Sequence, residues 1–175
     1  MRAHCIGAVC IFLHLFSDTL GKKIIPMENF DPEKIQGTWF VIRRNTKLFD
    51  SIKCIKYNLK HDPNIDDIYS MTSYWINSAG EYVETQFNIV DDRALKSRFF
   101  FESTQEKIAV NVLGTDYTNW MVGFGVNGPK ETYYVSTRTK SLPPDSQDAI
   151  NEILKKNEVE QDWADVEQVA CPDTH

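Results

Sequence analysis

Four cysteines and four histidines are the residues of this chain that most readily act as nucleophiles, general bases or metal ligands. Two of each lie within the first 21 residues, where Arg2 precedes an apolar run, Cys5–Phe16, and small polar residues follow it. The run is shorter than the roughly 20 residues of a transmembrane helix, and the pattern is typical of a secretory signal peptide. A buried N-terminal helix is the alternative. We expect residues 1–21 to be a signal peptide, cleaved after Thr19 or Gly21, and residues 22–175 to form a secreted, extracellular protein.

Cys54 and Cys171 are the cysteines that remain after this removal. Two cysteines in an oxidising compartment usually form a disulfide, so the sequence predicts a Cys54–Cys171 bridge. Two free thiols are the alternative. In the chain-entropy description, a bridge that closes so long a loop stabilises the fold by roughly 4–5 kcal/mol.

The other reactive side chains are too scattered to form a catalytic centre. His61 stands beside a turn and His175 ends the chain, so neither a Ser/His/Asp arrangement nor a multi-histidine zinc site is expected. The carboxylate pairs Asp66-Asp67 and Asp91-Asp92 fall in turns, where solvated charge is their usual role. The sequence therefore predicts no catalytic residue, no metal site and no cofactor, and indicates that the protein is not an enzyme.

Charge and length narrow the class of protein further. The formal net charge is −6, which argues against binding to nucleic acid or to anionic membrane surfaces. Residues 22–175 are enough for one domain with a sizeable core. Neither nucleic acid nor a membrane is therefore expected as a partner. The protein is expected to be a monomer or a weak dimer.

Short β-branched or aromatic runs separated by turn residues fill the centre of the sequence and predict an all-β meander, either a barrel or a sandwich. The turns include Asn77-Ser78-Ala79-Gly80 and Asn127-Gly128-Pro129. The eight candidate strands are Gly37–Arg44, Ile52–Leu59, Ile68–Ile76, Glu81–Val90, Lys96–Glu102, Ile108–Thr115, Trp120–Val126 and Glu131–Arg138.

A helix is predicted after the last strand, ending near Asn157 and capped by Asp145 or Ser146. Its apolar residues share one face, which must be buried against the outside of the strands. They are Ala149, Ile150, Ile153 and Leu154.

Three short motifs resemble those of the lipocalins, in the order and at the spacing of that family. Gly37-Thr38-Trp39 looks like the G-x-W motif that opens the first strand, and Thr115-Asp116-Tyr117 looks like the T-D-Y motif between the sixth and seventh strands. Arg138, at the end of the eighth strand, looks like the arginine of the third motif. The resemblance covers the whole chain after the signal peptide.

The resemblance implies an eight-stranded antiparallel up-and-down β-barrel with a C-terminal α-helix packed on its outside. In such a barrel Trp39 plugs one end, and Arg138 can lie across its indole ring in a cation–π contact. Asp116 can accept hydrogen bonds from amides of the neighbouring turn. Gly37, Trp39, Thr115, Asp116, Tyr117 and Arg138 are therefore expected to be structural residues.

A second-strand cysteine paired with a C-terminal one is similar to the arrangement in insect lipocalins, such as bilin-binding proteins, haem proteins of blood-feeding bugs and cockroach allergens. The chain lacks the second disulfide of the first two groups, and it most resembles the cockroach allergens.

The family register and the alternation of side chains along a strand predict which residues face the lumen. Trp39 points inward in the family, and Phe99 and Phe101 lie on the uncharged side of their strand. The predicted lumen residues are Val41, Arg43, Met71, Phe99, Phe101, Val110, Val112, Met121, Tyr134 and Ser136. Gly123 and Gly125 indicate either open space or a bend.

The resemblance therefore implies an extracellular carrier of a small apolar or amphipathic ligand, such as a pheromone-like or biogenic-amine-like molecule. Arg43 in the lumen would favour an anionic or phenolic group. The alternative is a protein-interaction or inhibitory lipocalin whose barrel is filled by its own side chains.

Overall fold

The computed structural model describes residues 23–45, 51–61, 68–92, 94–103, 107–128, 130–159 and 163–172. The expected signal peptide, the Asp66-Asp67 pair and His175 lie outside these residues. Within the described ranges, no helix combines the length and apolar character needed to cross a membrane.

Eight antiparallel strands form a closed barrel, as predicted, because each strand pairs with the next and the first pairs with the last. A short 3-10 turn, Pro32–Ile35, precedes the barrel. The strands are β1 (Gly37–Arg44), β2 (Lys53–His61), β3 (Ile68–Ile76), β4 (Tyr82–Asp91), β5 (Arg98–Glu102), β6 (Lys107–Thr115), β7 (Trp120–Asn127) and β8 (Lys130–Thr137). A two-residue strand, β9 (Ala164–Asp165), adds to the outer side of β1.

Strand β5 begins at Arg98, two residues later than the sequence predicted. The chain turns before it, and the Asp92 carboxylate accepts hydrogen bonds from the Ala94 backbone N–H at 2.9 Å and from Arg98 Nε at 2.6 Å. These two hydrogen bonds hold the pKa of Asp92 below its ordinary value. Asp92 is thus a turn-forming residue and more than a solvated charge.

The helix α1 (Gln147–Lys156) packs its apolar face on the outside of the barrel, as predicted. Ile150 and Leu154 are buried, and Ile153 rests on β6 at Gly114. A Cβ at position 114 would lie 2.2 Å from Ile153 Cδ1, so the Ile153 side chain occupies the space that glycine leaves beside β6.

The predicted side-chain cap of this helix is wrong. A 3-10 turn, Pro144–Ser146, leads into α1, and the Ser146 backbone is itself helical (φ −90°, ψ −16°). A capping side chain needs an extended backbone to reach the first free N–H groups. The Ser146 side chain accordingly makes no capping hydrogen bond.

The disulfide between Cys54 and Cys171 ties the C-terminal tail to β2, with the two Cα atoms 5.4 Å apart. The tail is also held by Gln168, whose Nε2 donates to the backbone carbonyls of Val41 at 2.8 Å and Ile55 at 2.9 Å. The tail therefore bridges β1 and β2.

Trp39 and Arg138 close one end of the barrel. Trp39 is completely buried, and its Nε1 donates to the Ile35 carbonyl at 2.7 Å. The Arg138 guanidinium carbon lies 3.7 Å from the centroid of the Trp39 ring. The guanidinium also donates to the backbone carbonyls of Thr38, Lys34 and Tyr117, at 3.2, 3.3 and 3.3 Å.

Asp116 organises the loop between β6 and β7 at the same end. Its Oδ1 accepts hydrogen bonds from the backbone N–H groups of Thr118, Asn119 and Trp120. Partial burial alone would raise the pKa of Asp116, but these hydrogen bonds outweigh it and hold the pKa below its ordinary value. The folded protein therefore favours the charged form of this carboxyl group.

We predict that Arg138→Ala lowers the free energy of unfolding by roughly 1–3 kcal/mol, because it uncovers the Trp39 ring and leaves carbonyls without donors. Urea unfolding measures the change. The control is Arg43→Ala, since Arg43 forms an ion pair with the exposed Asp165 on the outer surface. Equal losses in the two variants would show that Arg138 does not hold the closed end together.

We also predict that Asp116→Asn makes stability less sensitive to acid. A carboxyl group with a lowered folded pKa stabilises the protein above its unfolded pKa of about 4, and this contribution disappears as the pH falls through the folded pKa. Wild type should lose more stability than the variant between pH 7 and pH 3 in urea unfolding. Asp148→Asn removes a carboxylate from the exposed side of α1 and is the control. A wild-type loss no larger than that of Asp116→Asn would contradict the assignment.

Candidate ligand cavity

A cavity of about 410 Å³ lies inside the barrel. Its wall is mainly aliphatic and aromatic and includes eight of the ten predicted lumen residues: Val41, Met71, Phe99, Phe101, Val110, Val112, Met121 and Tyr134. The strand register brings these side chains together, since alternate residues of neighbouring strands share one face.

The register of β5 shows this alternation clearly. Phe99 and Phe101 line the cavity, and Phe99 is only 3% exposed. Phe100 faces the outside, where the Lys107 ammonium lies 5.1 Å from the centroid of its ring.

Arg43 does not face the lumen, which corrects the prediction from simple alternation. Val41 pairs with Ser136 and Arg43 with Val135, so a β-bulge lies between the two β1 residues. The residues after the bulge therefore face the opposite side of the sheet from the one that simple alternation predicts. Arg43 Nε donates to Asp165 Oδ1 at 3.0 Å on the outer surface, and Arg44 takes the buried position. The expectation that the lumen prefers a ligand with an anionic or phenolic group depended on Arg43, and it therefore has no support.

Ser136 is fully buried but is not part of the cavity wall, which corrects a second prediction. It pairs with Val41 and Met121, two wall residues, and therefore points inward. Its hydroxyl lies near that of Tyr57, towards the closed end. Family register thus predicted its direction, but depth along the strand decides whether a side chain reaches the cavity.

Several wall residues were not predicted. They come mainly from β2, β3 and β4, from the 3-10 turn and the residue after it, and from the mouth. They include Ile55, Tyr57, Leu59, Tyr69, Ser73, Ile89, Ile108, Pro32, Ile35, Gln36, Asn127, Lys130 and Thr132. The signal for β2 was present, because its inward residues alternate with Lys56, Asn58 and Lys60. The contribution of the 3-10 turn depends on tertiary packing and has no periodic signal.

The two β7 glycines play different roles. A Cβ at position 123 would lie 2.2 Å from Tyr134 Cζ, so the tyrosine ring fills the space beside Gly123. A Cβ at position 125 would meet Ile108, Val110 and Thr132 only at ordinary contact distances of 3.8 to 3.9 Å. Gly125 therefore borders open space in the lumen, and Gly123 does not.

Two tyrosines supply polar groups within the apolar wall. Burial raises the pKa of Tyr134 well above its ordinary value, and the nearby Tyr57 raises it further. Burial also raises the pKa of Tyr57, although the Ser136 hydroxyl and the Arg138 charge oppose the rise. Both phenols are therefore protonated at neutral pH and can donate hydrogen bonds.

A closed eight-stranded barrel with a plugged end, an internal cavity and an external C-terminal helix has the lipocalin fold, as the sequence motifs implied. Insecticyanin from the tobacco hornworm Manduca sexta superimposes with a TM-score of 0.70 at 15% identity, over 83% of this chain and 84% of that protein. The cockroach allergen Per a 4 superimposes with a TM-score of 0.68 at 18% identity, over 84% of this chain and 92% of that protein. These likenesses concern the fold.

Sequence comparison shows that the chain is homologous to apolipoprotein D. Apolipoprotein D of Bos taurus is 27% identical over 157 residues, which cover 84% of this chain and 82% of the relative. No family model matches the chain. The prediction of a lipocalin is confirmed by this homology together with the fold.

The β5 register predicts a difference between two neighbouring phenylalanines. Phe99→Ala should weaken binding of the apolar fluorophore N-phenylnaphthylamine by roughly tenfold, because it removes a large part of the cavity wall. Phe100→Ala should change the affinity by less than about twofold. Fluorescence titration of the two variants measures both effects, and the opposite order would show that the register of β5 is wrong by one residue.

Proposed function

We propose that the protein is a secreted carrier that holds a small apolar or amphipathic molecule inside its barrel. One observation carries this proposal: the barrel contains a cavity of about 410 Å³ with a largely apolar wall. Cavities of this size and character suit small molecules, and burial of apolar ligand surface supplies the affinity.

The disulfide supports the extracellular part of the proposal. Disulfides form and persist in oxidising compartments, and Cys54 and Cys171 form one here. The apolar run near the N-terminus, with Arg2 before it, supports secretion on independent grounds.

The wall favours a pheromone-like molecule over a biogenic amine. Within the described residues, no aspartate or glutamate lines the cavity, and an ammonium group without a partner is costly to bury. The alternative function, a protein-interaction module, requires a barrel filled by its own side chains. The cavity inside this barrel argues against that alternative. The carrier therefore remains the better-supported function.

Filling the cavity from position 125 tests the carrier function. Gly125→Leu should weaken binding of N-phenylnaphthylamine by more than about tenfold, because the new side chain has room at its Cβ and extends into the lumen. Thermal stability should be unchanged or higher, since the substitution adds apolar contacts without a backbone clash.

Val126→Leu is the matched control, because Val126 packs in the cluster outside the barrel and the substitution leaves the lumen unchanged. Its affinity for the fluorophore should equal that of wild type. Undiminished binding by a folded Gly125→Leu variant would place the fluorophore outside the cavity. Failure of wild type to bind any apolar probe would refute the carrier function.

A further inference from the structure

The Tyr134 hydroxyl is the polar group best placed to meet a ligand. Tyr134 lies on the cavity wall, and its ring rests against the backbone of Gly123. A Cβ there would come within 2.4 Å of the hydroxyl oxygen, so glycine is the residue that leaves room for the phenol at this position. The hydroxyl therefore lies close to the β7 backbone on a mainly apolar wall.

Within the part of the chain that the structure describes, no side chain or backbone group forms a hydrogen bond with this hydroxyl. The nearby Tyr57 hydroxyl is shielded from the cavity and lies beside the Ser136 hydroxyl. Buried polar groups without partners are costly, and most of those in folded proteins are hydrogen-bonded. A donor of this kind on a cavity wall is poised to meet an acceptor that arrives with the ligand.

The charges around the cavity limit what that acceptor is. Lys130 is the charged residue on the described wall, and it stands at the start of β8. Tyr134 lies four residues further along the strand, which corresponds to roughly 13 Å. Arg44, which pairs with Tyr134 across β1 and β8, is buried but is not part of the described wall. An ionised ligand group beside Tyr134 would therefore contact mainly apolar wall residues, and its desolvation would be costly. The site therefore suits an uncharged oxygen.

We propose that the ligand is an uncharged molecule that carries a carbonyl or hydroxyl oxygen on a small apolar skeleton, and that this oxygen accepts a hydrogen bond from Tyr134. The proposal rests on the carrier function and adds to it the chemical class and the orientation of the cargo. The oxygen points towards Tyr134, and the apolar skeleton contacts the aliphatic and aromatic wall.

Menthone and menthane test this proposal, because they share one carbon skeleton and differ in the ketone oxygen. Each is titrated as a competitor of N-phenylnaphthylamine on wild type and on Tyr134→Phe. The substitution should weaken menthone binding by roughly three- to tenfold, the effect of one neutral hydrogen bond. Menthane binding should be unchanged or tighter, because the substitution removes only a hydroxyl that menthane cannot use.

Tyr133→Phe is the control, because it removes the neighbouring phenol hydroxyl, which lies outside the barrel in the cluster beneath α1. It should leave both affinities unchanged. Equal changes for menthone and menthane in Tyr134→Phe would overturn the proposed hydrogen bond while leaving the carrier function intact. Failure of both compounds to displace the fluorophore would refute the carrier function and this inference together.

Two charged competitors test the proposed class. Menthylamine presents a cation on the same skeleton, and decanoate presents an anion that can reach Lys130 at the mouth. Both should displace the fluorophore less effectively than menthone. Stronger displacement by either would overturn the assignment of an uncharged ligand.

Infrared spectroscopy gives a second readout that needs no variant to fold. The carbonyl stretch of menthone bound to wild type should lie at lower frequency than in an alkane solvent, because a hydrogen bond weakens the carbonyl bond. A frequency equal to that in the alkane would overturn the inference.

Discussion

The contact between Arg138 and Trp39 is the interaction on which the rest of the barrel depends. The guanidinium covers the indole and donates to carbonyls of three separate segments: the turn before β1, β1 itself and the β6–β7 loop. One side chain thereby satisfies polar groups that closing the barrel would leave without partners. Gly37 has a positive φ of 95°, and a Cβ there would lie only 3.2 Å from Arg138 Nη1. The closed end therefore requires glycine, tryptophan and arginine together.

Because Trp39 and Arg138 close one end of the barrel, the lumen of the barrel can remain partly unfilled. Two apolar clusters pack the protein: an inner cluster that contains Trp39 and much of the cavity wall, and an outer cluster between the barrel and α1. The outer cluster buries Trp120, Phe124 and Val135 against Ile150 and Leu154, away from any ligand. Because these contacts do not cross the lumen, the central wall need not be filled by large side chains. Gly125 and Ser73 on that wall leave space that bulkier residues would occupy.

Much of this fold was predictable because strand alternation and turn residues are local signals. The eight strands and the apolar face of α1 follow from them, and the motif residues predict the closed end through resemblance. The errors have a common physical origin. The bulge before Arg43, the depth of Ser136 and the packing of Tyr134 on Gly123 depend on partners distant in sequence. A period-2 pattern contains no information about an inserted residue, and one such residue moves every later side chain of that strand to the other face.

The closed end also determines the electrostatics of the cavity. Arg138 acts electrostatically on the buried Tyr57, but it lies against Trp39 and its donors already engage backbone carbonyls. Its field reaches Tyr57, where it favours the ionised phenol, yet burial dominates and the phenol keeps its proton. The bulge turns Arg43 outward to Asp165, and Arg44 takes the buried position without forming part of the cavity wall. The central wall is thus left with hydroxyl groups as its polar features, and hydroxyl groups distinguish ligands by hydrogen bonding and shape, with little contribution from net charge.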